Sequence, residues 1–211
     1  MPIVTRFHLL IFLVTLSITV VAILRIPPTF LFQAHWHASN ADWLWPRDIA
    51  LSVAPAIQAT VLIAFWLLGR ALTKNHLAKT RHILDPGLSL LLAVPAFYQL
   101  GLLFLGVGSD LDLIRGEGFL LGATLALLGL VLFYAERHSY GGLRLPWTIR
   151  SDRAWALAHK TTGVMTALAG FALMYVAWTD PGAGVLAVSF AAALFGLPVL
   201  AALMSLAVSR A

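Results

Sequence analysis

Two stretches of the chain concentrate side chains capable of chemistry. The first runs from Arg25 to Asp48 and holds His35, Trp36, His37, Asn40, Asp42, Trp43, Trp45 and Arg47. In an extended backbone His35 and His37 point to one side, and Asp42 adds a carboxylate nearby in sequence. Zinc accepts imidazole nitrogen and carboxylate oxygen, so His35, His37 and Asp42 form a metal candidate, though a weak one at this spacing. The same residues read as a recognition loop. They also read as an anchor, since tryptophan rings favour the headgroup level of a bilayer. Asn40 tolerates positive φ and suits a turn. Asp42 can cap that turn or pair with Arg47.

The second stretch runs from Glu136 to Lys160. Gly141, Gly142 and Pro146 break any helix that reaches them. Ser151 is a good N-cap, and Asp152 suits a first helical turn. A helix from there places Ser151, Trp155 and His159 on one face. Arg144, Arg150 and Arg153 face phosphates or a partner, with Trp147 and Trp155 at headgroup depth. The stretch reads as an interfacial elbow or as a docking surface. His159 has no visible nucleophile to serve as general base.

The elements that must position these stretches follow from composition. Hydrophobic residues make up 60% of the 211 and charged residues 11%, against about 45–50% and about 25% in soluble domains. Without cysteine, thiolate catalysis, disulfides and cysteine-ligated metals are excluded. No phosphate-cradling glycine loop, H-E-x-x-H or nucleophile elbow occurs. Six apolar blocks are long enough to cross a bilayer as helices. They run about 7–24, 49–69, 86–107, 118–135, 161–178 and 185–208. The fold class is therefore all-α: one polytopic membrane domain over 1–211. Three spans and an outer loop (25–48) lie in 1–107, and three spans with the inner loop 136–160 lie in 108–211. The first block exceeds the core of a signal peptide and is read as a retained span.

Cationic residues set the orientation. With the N-terminus inside, eleven of the fourteen Lys and Arg lie on the inner side, and only Arg25, Arg47 and Arg115 lie outside. Both termini are thus expected in the cytoplasm. The positive charge is topogenic and lipid-facing, which argues against direct nucleic-acid binding. Within the spans, Gln58 and Gln99 each follow a proline, Pro55 and Pro95. Proline frees a backbone carbonyl that a neighbouring helix must satisfy, and a glutamine amide can do so. A lined polar cavity is the other reading. Gly118 with Gly122, and Gly163 with Ala167, are small-xxx-small pairs suited to close helix packing.

The run Gly142, Arg144, Pro146, Trp147 and Thr148, followed by Ser151, Trp155, His159 and Gly163, resembles the signature of the SdpI family of bacterial membrane immunity proteins. His35, Trp36, Asp42, Trp43 and Pro55 resemble that family's N-terminal module. Departures are His138 for Asn, Leu145 for Thr, Lys160 for Arg, His37 for Asn and Asn40 for Gly. The His37 departure removes family support for a two-histidine metal site. The resemblance implies a non-enzymatic protein without cofactor in the bacterial inner membrane, giving immunity to a membrane-active peptide toxin. It also implies a cytoplasmic repressor held by the inner loop. Two other functions remain open. One is a membrane-embedded enzyme or small-molecule or lipid binder using the His-rich loop. The other is a structural subunit of a larger membrane complex.

The topology is directly testable. A fluorescent reporter fused after Arg81 is expected to fluoresce, and alkaline phosphatase fused there to stay inactive. An active phosphatase at that position would invert the arrangement.

Overall fold

The computed structural model describes residues 3–37, 40–134, 152–200 and 203. Among these are six helices long and apolar enough to cross a membrane. They are α1 (Arg6–Arg25), α2 (Arg47–Ala71), α3 (Lys74–Gly106), α4 (Leu113–Phe133), α5 (Asp152–Thr179) and α6 (Ala183–Ala191). The last runs on through a π-helical turn, Ala192–Gly196, and its membrane-length span is Ala183–Leu200. The chain is a multi-pass membrane protein.

Two compact units emerge, one comprising residues 1–117 with Gly182–Gly184, the other 118–181 with 185–211. In the first, α1 packs on α2 and α3. Its packing reverses the pattern of a soluble helix. The residues that α1 buries are His8, Thr15 and Ala22, spaced by sevens, while Leu10, Leu13, Val20 and Leu24 are exposed. In lipid the outside is as apolar as any core, so helix contacts go to small and polar side chains. An apolar cluster of Ile3, Val61, Leu62, Leu88 and Leu92 fills the end of this unit near the N-terminus.

The segment between α1 and α2 is not merely a loop. Leu31–His37 (β1) and Asn40–Pro46 (β2) pair as an antiparallel hairpin. Phe32 opposes Trp45 and His37 opposes Asn40, while Ala34 and Asp42 are skipped in the pairing. Each is an extra residue on its strand, the mark of a β-bulge. The stretch 70–85, expected as an inner loop, is helical from Lys74 onward; only Leu72 and Thr73 separate α2 from α3. No glycine or proline interrupts 74–85, and the helix carries on through Pro86 and Pro95. Helix α4 begins five residues earlier than its apolar run. Asp112 Oδ1 accepts from the Arg115 N–H at 3.0 Å, the bond of an N-cap, so the acidic segment supplies a helix start.

In the second unit the glycines of α4 and α5 meet backbone to backbone. A Cβ on Gly129 would lie 2.6 Å from the Gly163 carbonyl oxygen, and one on Gly122 would lie 2.7 Å from that of Gly170. Gly118 would meet the Ala177 side chain at 2.8 Å. The small faces of Gly118, Gly122, Gly163 and Ala167 are thus taken up by contacts within the chain. Gly163→Ala is expected to cost about 1–3 kcal/mol by overpacking and to lower the melting temperature in detergent. Gly87, whose Cβ would meet nothing within 4 Å, should accept Ala with no loss. Equal effects at both sites would contradict this packing.

Candidate functional site

The hairpin is held at three points. Arg47, the first residue of α2, is 8% exposed and reaches back to the end of α1. Its Nη1 donates to the Ile26 carbonyl at 2.8 Å and to that of Ile23 at 3.3 Å. A helix C-terminus carries unpaired carbonyls and partial negative charge, so a guanidinium is the matching group. Nε and Nη2 of the same side chain bind Asp48 at 2.8 and 2.7 Å. The Arg47 N–H donates to the Phe30 carbonyl, closing the hairpin's base. The pairing of Asp42 with Arg47 weighed from sequence does not form; the adjacent Asp48 takes the guanidinium.

The bulge at Ala34 is the second hold. Ala34 is fully buried, and the segment Gly182–Gly184 lies against it. A Cβ on Gly182 would come within 2.7 Å of the Ala34 carbonyl oxygen, and one on Gly184 within 2.5 Å of the Ala34 Cβ. Gly182 also has φ of +104°, a conformation that favours glycine. The third hold is Phe32, buried and edge-on to Phe30.

Among the predicted residues of the hairpin, the structure brings His35 and Asp42 together. His35 Nδ1 lies 2.5 Å from Asp42 Oδ1. The pair is partly exposed, beside Trp43, which stands edge-on to Trp45 at 5.2 Å. The carboxylate orients the ring and leaves Nε2 as its outward atom. Trp36, His37 and Asn40 are placed by strand pairing, with Trp36 opposite Ala41. Among the described residues there is no group of three or more metal-ligating side chains.

Gln58 and Gln99 both sit at the meeting of α1, α2 and α3, fully buried. Gln99 Nε2 donates to the Leu51 carbonyl at 3.1 Å and to Thr19 Oγ1 at 2.9 Å. Leu51 is four residues before Pro55, so its carbonyl is the one that the proline leaves without an N–H. Gln58 Nε2 donates to the Leu92 carbonyl at 2.7 Å and to Thr15 Oγ1 at 3.0 Å. Leu92 lies three residues before Pro95, in the turn which that ring disrupts. Each glutamine thus binds a carbonyl of the other's helix within one turn before a proline. Thr15 and Thr19, one turn apart on α1, join both rungs and pass their own protons to the Ile11 and Thr15 carbonyls.

At the far end of α1, His8 is fully buried. Its Nδ1 accepts from the Thr5 N–H at 3.1 Å, and its Nε2 lies 3.1 Å from Ser89 Oγ. Ser89 gives its proton to the Asp85 carbonyl, so Nε2 must be the protonated nitrogen of the ring. Sequence reading passed over His8, Tyr98 and Glu117, and gave Arg47 a different partner; an isolated polar residue beside an apolar run is the signal that the first three offer.

Of the inner residues, Gly142, Arg144, Pro146, Trp147, Thr148 and Ser151 lie outside the described residues. Trp155 and His159 are buried, at 3% and 1% exposure. Their rings stack at 3.8 Å, and His159 Nδ1 donates to the Trp155 carbonyl at 2.9 Å. Both side chains are buried within the chain, and their stacked rings pack the start of α5. The i, i+4 spacing read from sequence is what brings the two rings together.

Comparison with known proteins bears on this same region. The model of the SdpI/YfhL protein family matches residues 134–209. Immunity protein SdpI of Bacillus subtilis (strain 168) is 23% identical over 138 residues, 64% of this chain and 64% of that protein. Residues 134–209 are thus similar to the SdpI family, and the chain is a distant relative of that immunity protein. It matches somewhat under two thirds of the curated relative's length, and no solved structure matches it. The SdpI match takes in Trp155, His159 and the glycines Gly163 and Gly170 of α5. The hairpin and the glutamine rungs lie before the residues that the family model matches.

The proline–glutamine reading has a sharp test. Gln99→Leu strands the Leu51 carbonyl and is expected to cost about 1–3 kcal/mol in a reversible unfolding assay. In a Pro55→Ala background the helix supplies its own N–H to Leu51. The cost of Gln99→Leu should then shrink. Additive effects would show that Gln99 does not serve that carbonyl.

Proposed function

We propose that this chain is an immunity protein of the bacterial cytoplasmic membrane, protecting its host against a membrane-active peptide toxin. The hairpin is the element outside the cell that meets the toxin, and His35, Trp36, His37, Asn40, Asp42 and Trp43 are its recognition residues. The observation that carries the reading is the hairpin itself. A chain built to sit in lipid holds an ordered hairpin between two of its spans, fixed at its base by Arg47 and at its bulge by Gly182–Gly184. Rigid aromatic side chains with a polar handle are what recognition surfaces favour, and Trp43 is 40% exposed there. The similarity to Immunity protein SdpI supports the same assignment.

On the inner side, Gly142, Arg144, Pro146, Trp147, Thr148 and Ser151 form the docking segment for a cytoplasmic repressor. Trp155 and His159 position that segment from within the bundle. This division gives each side of the membrane one interaction, with a bundle of largely uncharged helices between them.

Expression in a toxin-sensitive strain is expected to confer survival. His35→Ala and Trp43→Ala should reduce survival without lowering the amount of protein in the membrane. Undiminished killing of cells that carry the protein in their membrane would overturn the immunity reading. Survival unaffected by the hairpin variants would move recognition elsewhere on the protein.

A further inference from the structure

One ionisable side chain in the bundle has no use in the account so far. Glu117, the fifth residue of α4, is 4% exposed. Its Oε2 is buried without a hydrogen-bond partner, and no ion pair to it forms among the described residues. An ionised carboxylate in such a place is costly unless paired, and an intramembrane acid marks a site whose partner has to be found.

The surroundings narrow the partner. A Cβ on Gly101 would meet the Ile114 side chain at 2.5 Å, which sets the start of α4 against α3. The two helices are joined by the short segment 107–112 and run in opposite directions. One turn further in, Tyr98 on α3 therefore comes near Glu117 on α4. The Tyr98 hydroxyl donates to the Ala183 carbonyl at 3.1 Å. With its O–H donated to Ala183, the phenol can meet a further polar group near Glu117 only through its oxygen, as an acceptor. Ala183 belongs to the segment that seats the hairpin bulge, so the site lies directly beneath the proposed recognition element.

For Glu117 to ionise there, beside a second acceptor oxygen, a cation with N–H donors has to pair with it. Depth distinguishes the carrier. Glu117 lies four residues into α4, about 6 Å along the axis at 1.5 Å per residue. A lysine can extend its four-carbon stem through apolar surroundings while its ammonium seeks a polar group. The ammonium of a lipid headgroup remains tied to its phosphate at the interface. We propose that Glu117 and the Tyr98 hydroxyl oxygen bind the primary ammonium of a lysine side chain on a peptide approaching from the hairpin side. The assignment rests on the immunity reading for the peptide's identity, but the site can be tested without any toxin.

The full chain in phosphatidylcholine nanodiscs is treated with dicyclohexylcarbodiimide, and the label on Glu117 is quantified by mass spectrometry. Dodecylammonium serves as probe, with dodecyltrimethylammonium as a control of equal charge without N–H donors. Dodecylammonium is expected to slow labelling about tenfold, the size of one charge-assisted hydrogen bond, and the control is not. Dodecylammonium should also raise the melting temperature of the wild type more than that of Glu117→Gln. Should Glu117→Gln fail to fold, the labelling of the wild type decides alone. Equal labelling with and without dodecylammonium would overturn the site. Protection equally strong with the trimethyl control would remove the hydrogen-bonding role. Protection by phosphatidylethanolamine alone would assign the site to lipid and overturn the peptide. If protection holds but cells are not rescued from toxin, the cation site stands and the immunity reading fails.

Discussion

Proline inside a membrane helix leaves a carbonyl that neither water nor lipid can satisfy, and the first unit of this protein meets that demand at Pro55 and places a second amide beside Pro95. The Leu51 carbonyl, freed by Pro55, accepts from Gln99, and the Leu92 carbonyl, in the turn before Pro95, accepts from Gln58. Because each donor sits on the other's helix, α2 and α3 have one register in which both are served. Thr15 and Thr19 bind the same two amides from α1, so the third helix is fixed by the same bonds. Small and polar residues then form the remaining contacts, and the apolar ones face outward. Lipid supplies no hydrophobic drive between helices, so directional bonds do the specifying.

With that frame set, the hairpin becomes possible. Polar backbone between spans is stable where it pairs with itself and where its ends are anchored. Arg47 supplies the anchor by binding carbonyls at the end of α1 while it begins α2. The bulge at Ala34 supplies a flat, side-chain-poor contact for Gly182 and Gly184. The segment matched by the SdpI family model, 134–209, begins after this construction. The family match and the hairpin's framework are therefore carried by different parts of the chain, and so are the inner and outer interactions proposed for it.

The spans were legible because length and apolarity suffice to require them, and Gln58 and Gln99 because a lone amide near a proline has few other uses in lipid. The i, i+4 spacing of Trp155 and His159 was legible as a shared face, but whether that face looks inward or outward is decided by packing. The hairpin was not legible as strands: with Ala34 and Asp42 each adding a residue, the alternation that identifies a strand is broken on both sides. The role of Arg47 was hidden because its main acceptors are backbone carbonyls from another helix, which leave no mark in side-chain types. The early start of α4 was obscured by Gly116 and the charges before it. Hydropathy ends a span where charge begins, whereas the backbone ends a helix where its caps lie, and at Asp112 the two differ.

The chain has three glutamines, Gln33, Gln58 and Gln99, which makes its side-chain amides a clean probe of the frame on which the rest depends. Magic-angle-spinning NMR of the glutamine-15N-labelled protein in bilayers, followed after transfer to D2O, reads their exchange one by one. The account predicts that the amides of Gln58 and Gln99 stay protonated long after that of the exposed Gln33 has exchanged. Loss of all three signals at the same rate would contradict it.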